Sequence, residues 1–322
     1  MNPRLAFIVV SYNTRALLAD CLTSIYRQTV GLEFETIVVD NASGDGSQAL
    51  VRDQFPRVIL VESTENLGFG RANNLGFSRS SAPFAMFLNS DAVLLEDTAA
   101  ALVEFLDGHP EAGLAGPAVI LTDGSIQPKT KGMLPTARTM FNQTLLLSVL
   151  FPRSRFFSGL YVESAWGNAY RIGWVCGVCM VVRRAAYEQA GGFDPAIFMY
   201  AEDVDLCRRL AVRGWETWRV ETQRIRHLCG GSTKTDAQVL RNRVLQQRNF
   251  MRIIDVSMGP LGRLVTRISW VAGLAMRAAA RGVLSALGGA GRRLAFQADL
   301  YCLADFIGLR KTLPGGCHAH RA

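Results

Sequence analysis

Little in this sequence marks a secreted, disulfide-stapled or membrane-spanning protein. Its seven cysteines are odd in number and scattered, so no disulfide framework follows and a reducing cytoplasm is the expected compartment. Uncharged apolar stretches such as Thr139 to Phe151 fall short of the ~20 residues a spanning helix needs. The first ten residues hold one arginine and no small-residue cleavage site, so no signal peptide is expected. Repeats and low-complexity tracts are absent. Charged residues make up 19% of the chain against 49% hydrophobic, which excludes disorder and implies a sizeable core.

The first hundred residues alternate short β-branched runs with helical patterns. Leu5 to Val10, Glu35 to Asp40, Val58 to Val61 and Phe84 to Leu88 read as strands, with helices at Arg15 to Gln28 and Phe69 to Arg79. Strands separated by helices form right-handed βαβ units, hence an α/β fold with a Rossmann-like, mostly parallel sheet flanked by helices. Ligands of such sheets sit beyond the carboxyl ends of the strands. There the chain places Ser11-Tyr12-Asn13, Asp40-Asn41 and Asn89-Ser90-Asp91. Any one of these could be a turn or a helix cap; three at one sheet edge point to a polar site. Prolines interrupt residues 124–171. Trp174 to Val182 then reads as one buried strand, Arg184 to Ala190 as a helix stopped by Gly191-Gly192, and Glu202 to Arg213 as a helix with an acidic start.

Two clusters could carry chemistry. Asp91 ends a strand and supplies a hard oxygen ligand suited to Mg²⁺ or Mn²⁺; His227 could add an imidazole, or be a structural histidine. Glu202, Asp203 and Asp205 crowd three carboxylates into four positions, where repulsion and burial would raise one toward a general base's working range. An acidic helix start is the bland alternative. Gly68-Phe69-Gly70-Arg71 lacks the third glycine of a dinucleotide fingerprint and reads as a loop-to-helix turn, with Arg71 available to a phosphate. Cys176 and Cys179 have zinc-like spacing without a second pair and read as core. Asn142-Gln143-Thr144 matches a glycosylation acceptor by chance.

Charge is uneven. From Phe250 onward there are ten basic residues against three acidic ones, +7 of the net +8. At ~100° per residue, Arg263, Arg267, Arg277, Arg281 and Arg292 share an arc of roughly 80°, interrupted by Trp270 and Leu274. This pattern suggests an interfacial helix whose arginines lie on anionic lipid; packed helices with a solvated arginine face are the alternative. Without interleaved aromatic platforms, no nucleic-acid partner is expected.

Together these segments resemble the family 2 glycosyltransferases of bacterial surface-polysaccharide assembly, in particular the rhamnosyltransferase-like branch. The resemblance rests on Ile8-Val9-Val10-Ser11-Tyr12-Asn13, Val38-Val39-Asp40-Asn41-Ala42-Ser43, Asn66-Leu67-Gly68-Phe69-Gly70-Arg71-Ala72-Asn73-Asn74, Leu88-Asn89-Ser90-Asp91, and Gly191-Gly192-Phe193-Asp194 leading to Glu202-Asp203-Val204-Asp205-Leu206. It implies a GT-A fold over residues 1–255, with a nucleotide-binding half at 1–95, an acceptor-binding half at 96–255 and a basic helical extension at 256–322. Ser11, Tyr12, Asn13, Asp40, Asn41, Arg71, Asn74 and Ser90 would bind the nucleotide, with Asp40 at the base. Asp91 and His227 would hold the metal, and Asp203 would be the general base of an inverting transfer, supported by Glu202 and Asp205. Asn89 replaces the first Asp of the family's Asp-x-Asp motif, which leaves the metal site less negative. The implied partners are a nucleotide-diphosphate sugar, with dTDP-rhamnose suggested by likeness to the branch alone, a glycan or lipid-linked acceptor, and the anionic inner face of the cell membrane. A catalytically inactive, membrane-bound scaffold of the same fold is the competing reading. A dinucleotide oxidoreductase is disfavoured because Ser11-Tyr12-Asn13, not a glycine-rich turn, follows strand one.

Overall fold

The computed structural model describes residues 3–228, 235–286 and 290–306. Its elements run β1 (Leu5–Ser11), α1 (Arg15–Gln28), β2 (Phe34–Asp40), α2 (Ser47–Gln54), β3 (Ile59–Glu62), α3 (Gly68–Phe77), β4 (Phe84–Asn89), β5 (Ala92–Leu94), α4 (Thr98–Gly108), β6 (Ala112–Ile120) and β7 (Lys131–Gly132). They continue with α5 (Ala137–Thr144), α6 (Leu147–Leu150), β8 (Ala169–Ile172), β9 (Trp174–Val175), β10 (Cys179–Arg183), α7 (Arg184–Ala190), α8 (Glu202–Val212), β11 (Glu216–His227), α9 (Asp236–Ser257), α10 (Pro260–Ala286) and α11 (Ala290–Phe306). The chain forms two compact units: residues 1–134 with 163–231, and residues 135–162 with 232–322. The boundary expected at residue 255 falls inside α9.

The first unit is built on a sheet of order β3-β2-β1-β4-β10-β6-β11-β5, with β8 paired to β11. β1 pairs in parallel with β2 and with β4, and β2 with β3. From β4 outward the sheet is mixed, because β10 runs antiparallel to both β4 and β6. β1 and β4 are apolar on both faces, as a parallel strand covered by helices on each side must be. Leu5, Phe7 and Val9 pack with Leu18, Leu22 and Ile25 of α1, while Ala6, Ile37 and Val39 form a smaller core with Ala72 of α3. The register places Ser11 beside Asp40 and Val10 beside Asn89, so three polar strand ends converge.

The run from Trp174 to Val182 is two strands rather than one. β9 pairs with β7 in a separate two-stranded sheet, and β10 joins the main sheet. The break at Cys176-Gly177-Val178 turns backbone N–H and C=O groups toward α8 and β4. Cys176 and Cys179 are unbridged and hold no metal cluster among the described residues; burial pushes the Cys176 thiol up to about 11, as expected of a core cysteine.

The second unit is helical. Thr235 opens α9 through a capping box with Gln238, as its side-chain oxygen should. Val244, Leu274 and Cys302 form a core joining α9, α10 and α11, and Trp270 donates its ring N–H to Gln247 Oε1 at 3.1 Å. Of the α10 arginines, Arg267 makes an exposed pair with Asp255 at 2.8 Å and Arg281 pairs with the buried Asp299 at 2.7 Å. The side chain of Arg292 lies outside the described residues. Among the described residues no helix is long and apolar enough to cross a membrane.

Candidate active site

The carboxyl ends of β1, β2 and β4 are tied together by side-chain hydrogen bonds. Ser11, Thr14 and Ser90 form a hydroxyl chain, Ser11 Oγ to Thr14 Oγ1 at 3.0 Å and Thr14 Oγ1 donating to Ser90 Oγ at 2.9 Å. Thr14 sits at the N-cap of α1, yet its hydroxyl does not cap the helix; it bridges two strand ends. The loops after β1 and β2 clasp each other as well: Asn13, at φ 54°, donates its N–H to Ser43 Oγ and accepts from Gly44 N–H at 2.8 Å. Tyr12 is half exposed beside this clasp.

Asp40 is buried at the end of β2. Its Oδ1 accepts from Ser43 N–H at 2.8 Å and from Gln48 Nε2 at 2.7 Å, while the buried Oδ2 has no partner among the described residues. A buried acceptor left unmatched is costly unless a ligand donor meets it. Asn41 is otherwise engaged. Its amide donates to Gly68 O at 3.1 Å and its oxygen accepts from Leu67 N–H at 3.3 Å, so it holds the entry to α3. Asn74 is likewise consumed: Nδ2 donates to Phe193 O at 2.8 Å, and Oδ1 accepts from Phe193 N–H and the Tyr187 hydroxyl. Both amides expected at the nucleotide are bound to protein groups. Arg71, on the first turn of α3, forms an exposed 3.5 Å pair with Glu65.

The acidic segment at α8 divides in two. Asp203 accepts Gly177 N–H at 3.0 Å through Oδ2 and Val204 N–H at 2.8 Å through Oδ1. Asp205 is instead locked between Arg208 at 2.9 Å and Arg209 at 2.7 Å, and Arg209 also donates to the carbonyls of Ala190 and Gly192. Asp205 therefore braces α8 against the end of α7 rather than joining Asp203. Tyr200 and Ala201, at φ 70° and 69°, precede the helix in consecutive left-handed conformations, the kind of strain that folded structure tolerates mainly at functional sites.

A chain of backbone groups links Asp203 to the end of β4. Gly177 donates to Asp203, and the carbonyl of the next residue, Val178, accepts Asn89 N–H at 3.0 Å. Two residues past Asn89 lies Asp91, whose Oδ1 stands 3.0 Å from His227 Nε2. β11 brings His227 there by pairing it with Ala92 of β5, and Leu228 N–H donates to Asp91 O at 2.8 Å. On its other side His227 Nδ1 meets Gln127 Oε1 at 2.8 Å. An amide oxygen only accepts, so Nδ1 donates to Gln127; Nε2, the nitrogen facing Asp91, would have to be unprotonated to ligate a metal. Two neighbouring ligands ~2.1 Å from an octahedral divalent ion stand ~3.0 Å apart, so the Asp91–His227 pair fits a shared cation, with Gln127 orienting the imidazole from behind. Among the described residues no third His, Cys, Asp or Glu completes a metal cluster. An ion of this class commonly takes its remaining ligands from substrate phosphates and water.

The chain is similar to known proteins. Residues 6–164 match the model of glycosyl transferase family 2. The N-acetylglucosaminyl-diphospho-decaprenol L-rhamnosyltransferase of Mycobacterium tuberculosis is 30% identical over 247 residues, covering 73% of this chain and 80% of that protein. The chain is a family 2 glycosyltransferase. The rhamnosyltransferase WbbL of Escherichia coli is 23% identical, over 67% of this chain and 90% of its own. Among solved structures, the mannosyltransferase PcManGT from Pyrobaculum calidifontis, in complex with GDP-Man and Mn²⁺, superposes with a TM-score of 0.57 at 20% identity, covering 95% of this chain and 87% of that one. TarS residues 1–349 from S. aureus, in complex with UDP, superpose with a TM-score of 0.52 at 14% identity over 95% and 89%. At these identities the structural likeness establishes the fold, which is GT-A.

In this glycosyltransferase the paired acids at α8 have shifted acidities. Burial, then the neighbouring Asp203 charge, pushes Glu202 up to about 8, and burial also raises Asp203 above the usual carboxylate range. Glu202 Oε2 is buried with no partner among the described residues. Sequence reasoning missed Thr14, Gln48, Gln127 and Gly177. Thr14 had a local signal, since it follows Ser11-Tyr12-Asn13 directly. Gln127 and Gly177 act across 100 and 26 positions and left no local trace.

Proposed function

We propose that this glycosyltransferase is an inverting rhamnosyltransferase that uses dTDP-rhamnose and a lipid-linked diphosphate-sugar acceptor at the cytoplasmic face of the membrane. The donor and acceptor follow the relatives: the Mycobacterium tuberculosis protein is named for a diphospho-decaprenol substrate and L-rhamnose transfer, and the Escherichia coli protein for rhamnose transfer. Residues 1–95 would hold the nucleotide and residues 96–255 the acceptor. The buried, unmatched Oδ2 of Asp40 is placed to accept an N–H of the base, with Ser11, Tyr12, Asn13 and Ser90 nearby; Arg71 can reach a phosphate by releasing its weak, exposed pair with Glu65. Asn41 and Asn74 support the loops from which these contacts are made.

Asp91 and His227 would hold a Mg²⁺ or Mn²⁺ ion. When bound, that ion neutralises charge growing on the diphosphate leaving group. Asp203 takes the proton from the acceptor hydroxyl, whose oxygen attacks the anomeric carbon as the bond to the diphosphate oxygen breaks; a single displacement inverts that centre. Holding Asp203 by Gly177 N–H fixes its carboxylate in place, and its raised pKa makes it a stronger base, closer to the pH at which a base works best. Glu202 shares the burial and the charge.

The observation carrying this reading is the short path Asp203–Gly177–Val178–Asn89, which joins the candidate base to the metal-side strand end. Asp203→Asn should abolish transfer, by ~10³-fold or more, while dTDP-sugar binding measured by calorimetry stays within a few-fold of wild type. Near-normal turnover in that variant would remove Asp203 from its role. Donor hydrolysis with Mg²⁺ or Mn²⁺ tests the scaffold alternative, which predicts none at all.

A further inference from the structure

The second unit carries an apolar surface that the chemistry does not use. On α10 the exposed residues Leu261, Leu264, Val265, Ile268, Ala272 and Met276 fall within an arc of about 120° at ~100° per residue. The arginines lie on the opposite side, where Arg281 pairs with the buried Asp299 and Arg267 makes an exposed pair with Asp255. Ile268 is 60% and Leu261 74% exposed, and a stripe of this length is an uncommon feature of a water-facing helix. It does not stand alone. α5 packs on the flank of the stripe, where Thr144 donates to Ser269 O at 3.1 Å and lies against Gly273. The residues that follow Thr144 leave further side chains in water: Leu145, Leu146, Val149, Leu150 and Phe151, with Val149 and Leu150 each about two-thirds exposed.

We propose that this joint face of α10 and the α5–α6 segment seats the enzyme on an anionic lipid surface, with the apolar side chains entering the acyl boundary. Charge selects the occupant. No Asp or Glu occurs between Asp123 and Glu163, nor within Pro260–Ala286. Arg138, Arg153 and Arg155 are exposed around the apolar patch. An acid-free, arginine-rimmed apolar surface complements phosphate headgroups above hydrocarbon; a second copy of the same face would set arginine against arginine. The contact is thus apolar at its centre and cationic at its rim, the reverse of an arginine stripe lying on the membrane. This inference rests on the membrane-side location in the proposed function and is independent of the catalytic assignments.

The test uses the full chain and sedimentation with sucrose-loaded vesicles, either pure phosphatidylcholine or phosphatidylcholine mixed with the anionic lipid phosphatidylglycerol, whose negative surface potential attracts basic residues. The wild type is expected to sediment with the anionic vesicles and much less with the neutral ones. Ile268→Glu and Leu150→Glu should each lower partitioning at least about tenfold, with unchanged far-UV circular dichroism. Ile268→Trp should show a blue-shifted, bromolipid-quenched emission component absent from the wild type. Undiminished sedimentation of both Glu variants, or an Ile268→Trp signal indifferent to vesicles, overturns the proposal. So does light scattering that shows Ile268→Glu converting a dimer to a monomer with vesicle binding intact. Donor hydrolysis in vesicle-free buffer is read in parallel: its loss in the wild type would sink the catalytic reading and leave the surface untouched.

Discussion

Glu202 and Asp203 occupy neighbouring positions, and their burial makes two adjacent negative charges expensive. A group whose folded acidity lies near 8 against an ordinary value of 4.5 binds its proton more tightly when folded. Its contribution to stability is therefore greatest below the unfolded value and falls as pH rises from about 4.5 toward 8. Glu202→Gln removes that loss without changing shape. The variant should melt higher than wild type at pH 8 by several degrees, at about 2–4 °C per kcal/mol, and show little advantage at pH 4.5. A uniform shift across pH would assign the effect to packing. In turnover the sign is opposite: the proposed base Asp203 must be deprotonated to act, so transfer should fall on the acid side, at a pH above that of an ordinary aspartate.

The segment Gly191 to Ala201 shows how elements position the start of α8. It docks on α3 through Asn74 at one end and through Phe69 N–H to Phe198 O at 2.9 Å at the other. Gly68 makes the second contact possible: at φ 77° it is left-handed, and a Cβ there would overlap the Phe198 carbonyl. Gly68→Ala faces both the left-handed backbone cost and that overlap. We expect it to loosen the segment, seen as faster proteolysis within residues 193–200, and to lower kcat more than donor affinity. Unchanged cleavage kinetics would show that the docking is dispensable. The strand ends, the helices α1, α7 and α8, and the glycine stop after α7 were readable from local patterns, since apolar periodicity and turn residues encode them directly. The split of Trp174 to Val182 was not, because a continuous apolar run is consistent with one buried strand or two, and only pairing with β7 and β4 breaks it.

At the scale of the whole molecule, each of the two units has its own buried core. Trp270→Ala in α10 should cost about 3–5 kcal/mol of the helical unit's stability, since it removes the ring from the α9–α10–α11 core and leaves Gln247 Oε1 without its donor. Differential scanning calorimetry should show the melting of that unit displaced, with the nucleotide-dependent rise in Tm of the other retained; one undivided transition moving as a whole would show the units to unfold together. The orientation of α10 is also a lesson at this scale. Its two stripes, arginine and apolar, were visible in the spacing, and so were Trp270 and Leu274 inside the arginine arc. Which stripe faces inward was decided by Leu274 and Trp270, which pack with Val244 of α9 and Cys302 of α11 from within the arginine arc, and by the buried Asp299 that receives Arg281.

The sequence by itself determined the class of sheet, the family, and the polar residues at the ends of β1, β2 and β4, because strand alternation and the residues just after a strand are local facts. Only the tertiary structure decided which polar groups are engaged by other elements, as Asn41, Asn74 and Asp205 are, and which keep a buried atom without a partner among the described residues, as Asp40 and Glu202 do. The reason is that a hydrogen bond or ion pair is assigned by distance in space, and the partners that claim these side chains are set by packing between elements that local patterns do not connect.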